Sequence, residues 1–495
     1  MMGIITNYKK IISAAVILAA GAMLFAEGDC YIYDRWSQIE HSPDTYAVER
    51  VYVADIIGDG KMLSNPQGLF CKGSDVYVCD TGNNRIIQYT YTADRQLSVV
   101  RIIDHFNAGG KVLETFASPS DVYVNADDDL FIADTDNGRV VRLDKELNYK
   151  LSFTMPHDPT YDESISFLPQ KVTADVAGRV YAIAKNINKG FVKYEADGTF
   201  TGFYGATEVH PSWSDMLWKK LSTRKQREQL ESFVPTEYCN VYEDREGFLY
   251  AVIKTFDQWK LASDEAKPIR RLNALGGDIL IKNAKSPPIG DLSWESGAGS
   301  TYDGPSRFED ITVLDNDVYV AVDGTRGRIF GYNSQGYLLY AFGGKGNSAG
   351  YFKKPVAIDH VGRDLFVLDS TDCSVTIFSP TYYGGLIYDA LEKYADGKYE
   401  ESASYWQQIL LLNGNYDLAY IGLGKAELRQ EHYKQAMEYF KVKKDRREYS
   451  KAFVLYRKEW FEKNISWIFG VIIIAAVSWL ASSRIKKIKK EVSEL

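Results

Sequence analysis

The stretch VYVCDTGNNRIIQY, Val76 to Tyr89, comes back as FIADTDNGRVVRL, Phe131 to Leu143. In each copy an apolar run ends in Asp, a turn rich in Gly and Asn follows, and an Arg five residues after the Asp opens a second apolar run. The pairs are Asp80 with Arg85 and Asp134 with Arg139. Apolar runs of this length broken by turn residues are the pattern of short antiparallel strands. One such unit cannot bury both of its faces, so a chain built from it must stack copies.

More copies follow. Pro66 precedes DVYVCD, Pro119 precedes LFIADT, Pro169 precedes VYAIAK and Pro235 precedes FLYAVI. Phe308 stands in the Pro place before DVYVAVD, and Pro355 precedes DLFVLDS. A third strand closes most units, as in RIIQY, RVVRL, GFVKY, RIFGY and SVTIF. Six such units predict an all-β six-bladed propeller within residues 27–380, because a radial ring lets every unit pack on two neighbours. The sixth unit meets Ser379-Pro380 and then helical sequence, so the segment VERVYVADII, residues 48–57, is expected to close the last blade.

The repeated motif resembles the NHL repeat, whose units carry a Pro-x-Gly opening and a V-A-D-T-x-N-x-R-I core. Asp80, Asn83, Asn84 and Arg85 occupy that core in unit one, and Asp134, Asn137 and Arg139 in unit two. Unit five keeps Asp323 and Arg328. Unit six keeps Asp369 with Ser374 in the Arg place, while Lys185 and Lys254 are read in the Asp place of units three and four. The resemblance implies the propeller fold and no particular activity. Physically, a strand-end Asp accepts turn N–H groups, Asn and Gly tolerate positive φ, and Arg pairs with Asp while covering apolar surface. Asp80, Arg85, Asp134, Arg139, Asp323, Arg328 and Asp369 are therefore expected to be structural.

Recognition in a propeller belongs where the innermost strands face the channel. Counting three from each opening residue gives Gly68, Asp121, Lys171, Glu237, Asp310 and Ala357. Asp121, Lys171, Glu237 and Asp310 are thus the candidate ligand-binding residues at one channel mouth. The chain has no HExxH, P-loop or CxxC motif, and no residue is assigned as catalytic. Propeller lactonases and lyases place acidic or His residues around a channel metal. A divalent cation held by Asp121, Glu237 and Asp310 is accordingly the enzyme alternative, and the binding reading needs no cofactor.

Two long insertions interrupt the ring. Between units three and four a helix is expected after an N-cap at Ser212, and residues 256–307, including PIRRLNALGG, read as a Gly- and Pro-rich loop. Beyond the ring the period becomes 34 residues: Tyr394 to Leu428, Tyr399 to Tyr433, Ser402 to Ala436, Tyr405 to Tyr439 and Trp406 to Phe440. That spacing resembles tetratricopeptide (TPR) repeats and implies protein assembly over residues 386–463. Tyr449, Ala452, Phe453, Tyr456 and Trp460 form one helical stripe that would cap the array.

The ends suggest a compartment. Lys9 and Lys10 precede an apolar run ending at Ala26, the layout of a signal peptide over residues 1–26. Residues 465–483 carry no charge and are long enough to cross a bilayer. The basic tail 484–495 is then cytoplasmic by the positive-inside rule, and the bulk of the chain extracytoplasmic. A net charge of −8 argues against nucleic acid as a partner. Five cysteines without CxxC spacing signal neither zinc nor a disulfide framework, which leaves a Cys30 to Cys373 bridge open. Together these readings predict a membrane-anchored binding and scaffold protein with a protein partner. The whole layout is similar to bacterial NHL-plus-TPR membrane proteins that accompany sugar-uptake transport systems. It names neither a small-molecule nor a glycan ligand.

Overall fold

A computed structural model describes residues 30–493, apart from 35, 54–58, 110–111, 209–232, 235–236, 255, 257–260, 262–265, 285–286 and 293–303. The signal segment and the helix expected after Ser212 lie outside the described residues. The chain divides after Gly385 into two compact units.

The first unit is a β-propeller. Its inner strands are Gly68–Lys72, Pro119–Val124, Pro169–Ala174, Tyr238–Glu243, Phe308–Val313 and Pro355–Val361, each beside the next and the last beside the first. Five of the sheets built outward from them have the four antiparallel strands of a complete blade. In unit two these are Pro119–Val124, Leu130–Asp134, Arg139–Leu143 and Tyr149–Thr154. Unit four has only three, Tyr238–Glu243, Leu249–Ile253 and Ile269–Leu272. The expectation of six blades is therefore corrected to five complete blades, with a three-stranded sheet in the remaining place.

The cause lies just beyond Leu272. Asn273 Oδ1 accepts the N–H groups of Leu275 and Gly277, turning the chain back so that Ile279 N donates to Arg271 O at 2.7 Å. That return covers the strand edge at one point, and Pro287 and Pro288, which have no N–H, follow soon after. The same region corrects a second expectation. PIRRL, read as insertion, supplies the third strand Ile269–Leu272.

Alternating side chains explain why the sheets stack. In unit two, Phe131, Ala133, Val140 and Phe153 pack with Val172, Ala174, Val180 and Ala182 of unit three. Ile132, Val141 and Leu143 point the other way, into a cluster with Tyr77, Cys79 and Ile86 of unit one. Both faces are dry, which a period of two with apolar residues at nearly every position demands. The turn after the motif Asp needs positive φ, and Asn84 (φ 56°) and Gly138 (φ 66°) supply it at equivalent places.

The outer strand of unit six comes from the N-terminal part of the chain. Tyr46–Tyr52 pairs with Ser374–Pro380, with Tyr46 opposite Pro380 and Val51 opposite Thr376. Residues 54–57 of the predicted closing strand lie outside the described residues. Two further strands, Tyr31–Tyr33 and Ile39–His41, extend the outer edge of unit five through Tyr31 opposite Ala341. All five cysteines are free thiols, so Cys30 and Cys373 are not bridged.

The second unit is helical. Its elements are α1 (Tyr382–Ala395), α2 (Tyr399–Leu412), α3 (Asp417–Arg429), α4 (Tyr433–Val442) and α5 (Arg446–Ser493), and α2 to α5 pack in succession. α2 and α4 begin 34 residues apart, and the spaced pairs Ser402 and Ala436, and Trp406 and Phe440, are all buried. Small residues receive the large ones. A Cβ on Gly422 would lie 2.5 Å from the Trp406 ring, and one on Gly424 2.5 Å from Phe440. α5 is a single helix of 48 residues, and its apolar stretch is long enough to cross a membrane. Ile472, Ile473, Ile474, Val477 and Leu480 are exposed along it, which in water would be unfavourable.

Candidate ligand site in the propeller channel

Register decides which residues share a level of the channel. The opening residue of each inner strand pairs with the end of the second strand: Pro119 with Asp134, Pro169 with Ala184, Tyr238 with Ile253, Phe308 with Asp323 and Pro355 with Asp369. Unit four therefore opens at Tyr238 and not at Pro235. Its channel residue is Asn240, which pairs with Val252 as Asp121 pairs with Ala133 and Asp310 with Val322.

This corrects the candidate set. Glu237 is exposed just before the strand and lines the chamber at the strand starts with Lys171, apart from Asp121 and Asp310. Proline misled the reading because the opening place can also take an aromatic plug. Tyr238 stacks on Phe191 with ring centroids 4.5 Å apart and donates from its hydroxyl to Gly205 O at 2.7 Å. Phe308, already accepted in the Pro place of unit five, was the available signal. The motif Asp place in units three and four is likewise Ala184 and Ile253, one residue before Lys185 and Lys254.

Asp121, Lys171, Asn240 and Asp310 are all buried and line one cavity. Lys171 Nζ lies 3.5 Å from Asp121 Oδ1 and donates to Gln67 O at 3.2 Å. The acids also brace neighbouring blades. Asp121 Oδ2 accepts Val172 N of unit three at 2.9 Å, and Asp310 Oδ2 accepts Ile358 N of unit six at 2.7 Å. Asp359 Oδ2 accepts Cys71 N of unit one at 2.6 Å, across the junction where the ring closes. Each carboxylate thus ties its own blade to the next one around.

Burial pushes the carboxyl of Asp310 well above its ordinary range and raises that of Asp121. Burial also works against the ammonium of Lys171, but Asp121 and Asp310 outweigh it and hold its pKa above the usual lysine value. One resident cation thus sits among two buried acids. A divalent cation does not fit this donor set. The ammonium stands beside Asp121, the acids are committed to backbone N–H groups, and among the described residues no three His, Cys, Asp or Glu side chains group as ligands.

Lys171 lines two chambers. The one at the strand starts, about 400 Å³, includes Gln67, Gln170, Lys185, Glu237 and Lys254. The one toward the strand ends, about 180 Å³, is walled by Phe70, Tyr123, Tyr242, Glu243 and Asp359. Phe70 and Tyr123 have ring centroids 5.2 Å apart, and Tyr123 Oη donates to Glu243 Oε2 at 3.0 Å. Burial pushes the Glu243 carboxyl up to about 7. Glu243, Asn240, Tyr123 and Tyr242 were not singled out from sequence. They became visible only with the register.

The motif residues lie away from this cavity, in the turns. Asp80 accepts Ser64 N at 2.7 Å, Asn83 Nδ2 at 2.8 Å and Arg85 Nε at 2.6 Å. Asp134 repeats the set with Ala117 N at 2.7 Å, Asn137 Nδ2 at 2.8 Å and Arg139 Nε at 2.9 Å. Asp369, lacking the Arg, accepts four backbone N–H groups instead, from Lys353, Lys354, Thr371 and Asp372. In unit five the pair separates. Asp323 accepts Arg307 N and Thr325 N, while Arg328 lies over the Tyr31 ring at 4.8 Å and 3.8 Å from Asp291.

Comparison with known proteins gives a match to one family model. Residues 116–143 match the NHL repeat. No curated protein matches the chain. Among solved structures, a streptogramin B lyase is 12% identical, covering 68% of this chain and 100% of its own, with a TM-score of 0.39. A luciferin-regenerating enzyme is 10% identical over 67% of this chain and 95% of its own, with a TM-score of 0.36. The extracellular domain of a one component system from B. thetaiotaomicron is 13% identical over 70% of this chain and 39% of that one, with a TM-score of 0.33. Likenesses this distant leave the chemistry to the residues of this chain.

Proposed function

We propose that this chain is a membrane-anchored, extracytoplasmic binding and scaffold protein, with the propeller as recognition head and residues 386–463 as a TPR-like assembly module. The observation that carries the reading is the unbroken helix Arg446–Ser493. At its start Ala452 packs with Ala436 and Phe440 of α4, and without a break the same helix becomes the apolar segment. A helix that is both the last layer of the array and the membrane span holds the array at the bilayer surface. Trp467 and Trp479, toward the two ends of that segment, suit the interfaces, and Arg484, Lys486 and Lys487 suit the cytoplasmic side.

The channel supports binding over catalysis. The acids that an enzyme would need free are used to join blades, as the bonds of Asp121 to Val172 N and of Asp310 to Ile358 N indicate. The partner class favoured by the layout is a membrane transport complex, of the kind that takes up sugars. The test is affinity purification of the intact chain from its own membranes, with Trp406→Ala as the comparison. A membrane transport complex recovered with the wild type and lost with the variant is the expected result. Equal recovery with a variant whose helical unit is unfolded overturns the assembly role. Metal-dependent lactone or glycan cleavage by the purified chain overturns the binding reading.

A further inference from the structure

We propose that the strand-end chamber of the channel binds a small organic cation, a hydroxylated amine whose ammonium group sits among Phe70, Tyr123 and Tyr242 opposite Glu243 and Asp359. The inference deepens the recognition-head reading and rests on it.

Four carboxyl groups, of Asp121, Glu243, Asp310 and Asp359, line this chamber against the single ammonium of Lys171, so its formal charge is negative. The aromatic wall adds electron-rich ring faces, which attract a cation at short range. Among the described residues, two groups in the wall lack partners. Glu243 Oε1 accepts no hydrogen bond. Asn240 is 4% exposed, and among the described residues its side chain makes one hydrogen bond, which its Oδ1 accepts from Val241 N, leaving the amide NH2 as a donor in the cavity wall. A buried acceptor left open is costly without a ligand, and the Asn240 amide offers a donor beside it in the cavity wall. An ammonium group supplies the donor that Glu243 lacks, and a hydroxyl supplies the acceptor that Asn240 lacks. The cavity, about 180 Å³, suits a molecule of this size.

The mouth is open to such a ligand because the turns around it are tight. Asn125, Asp175, Asp244 and Leu314 each accept an N–H from the residue three positions later and close short hairpins instead of lids.

The test is calorimetric titration of the full-length chain in detergent with two pairs of probes matched in shape and differing in charge. These are ethanolamine with propan-1-ol, and glucosamine with glucose. The expected result is that the cation of at least one pair binds about tenfold or more tightly than its neutral twin. Glu243→Gln should remove that preference while leaving the melting temperature no lower than that of the wild type. Neutral twins that bind as well as their cations in both pairs would make the site one for neutral hydroxylated molecules and overturn the proposal, and so would no binding of any probe. A cation preference unchanged in Glu243→Gln moves the cation away from this wall and overturns it as well. Partner recovery is a separate readout, so a chain that recovers its partner yet binds no cation sinks this inference and leaves the scaffold reading standing.

Discussion

The same aspartate does different work in different units. Asp80 and Asp134 are each held by an Arg, an Asn and a backbone N–H, whereas Asp369 takes four backbone N–H groups and no Arg. Asp369→Ala would strand four donors at once and should cost about 3 kcal/mol, read as a lower denaturant midpoint of the propeller transition. Ser374→Ala, in the Arg place, should change that midpoint little. Glu243 makes a prediction of opposite sign. Its folded pKa, about 7, lies above its ordinary value of 4.5, so the folded state binds more protons between these values. Stability therefore falls as pH rises from about 4.5 to about 7, and the full penalty is present above 7. Glu243→Gln keeps an acceptor for Tyr123 and removes the charge. It should stabilise the propeller at pH 8 by roughly 1–2 kcal/mol after discounting for partial exposure, and by almost nothing near pH 4.5. Equal gains at both pH values would show that charge burial is not the cause.

At the scale of elements, the two ends of the propeller sequence are clasped together. Tyr46–Tyr52 completes unit six, and Thr381 N donates to Thr45 O at 3.0 Å just beyond it. Removing residues 46–52 should leave the edge strand Ser374–Pro380 open, and proteolysis should then begin in unit six and spread from there. An intact protease-resistant propeller after that deletion would show that the remaining sheets close without the clasp. In the helical unit, Trp406 is 2% exposed and fits the space left by Gly422. Trp406→Ala should cost about 3–5 kcal/mol and melt α2 to α4 at a lower temperature than the propeller. A single transition, unchanged from the wild type, would mean that the array tolerates the cavity.

For the molecule as a whole, the placement of α5 sets the topology. Protease added to spheroplasts should digest the propeller and spare an epitope fused after Leu495; a protected propeller would reverse the proposed orientation. The repeat, the blade strands and the long apolar helix were legible in the sequence because they depend on local periodicity, which each short window carries by itself. The channel was not. Asn240 in place of Glu237, Ala184 and Ile253 in place of the two lysines, and the third strand in PIRRL all depend on register, which is set by partners far along the chain. The chamber wall gathers Phe70, Tyr123, Glu243 and Asp359 from four different units. The sequence alone determined that strands of this kind must stack in a ring. Only the tertiary structure decided which side chains meet inside it, because a shift of one residue along a strand carries a side chain from the channel to the opposite face, and nothing local records that shift.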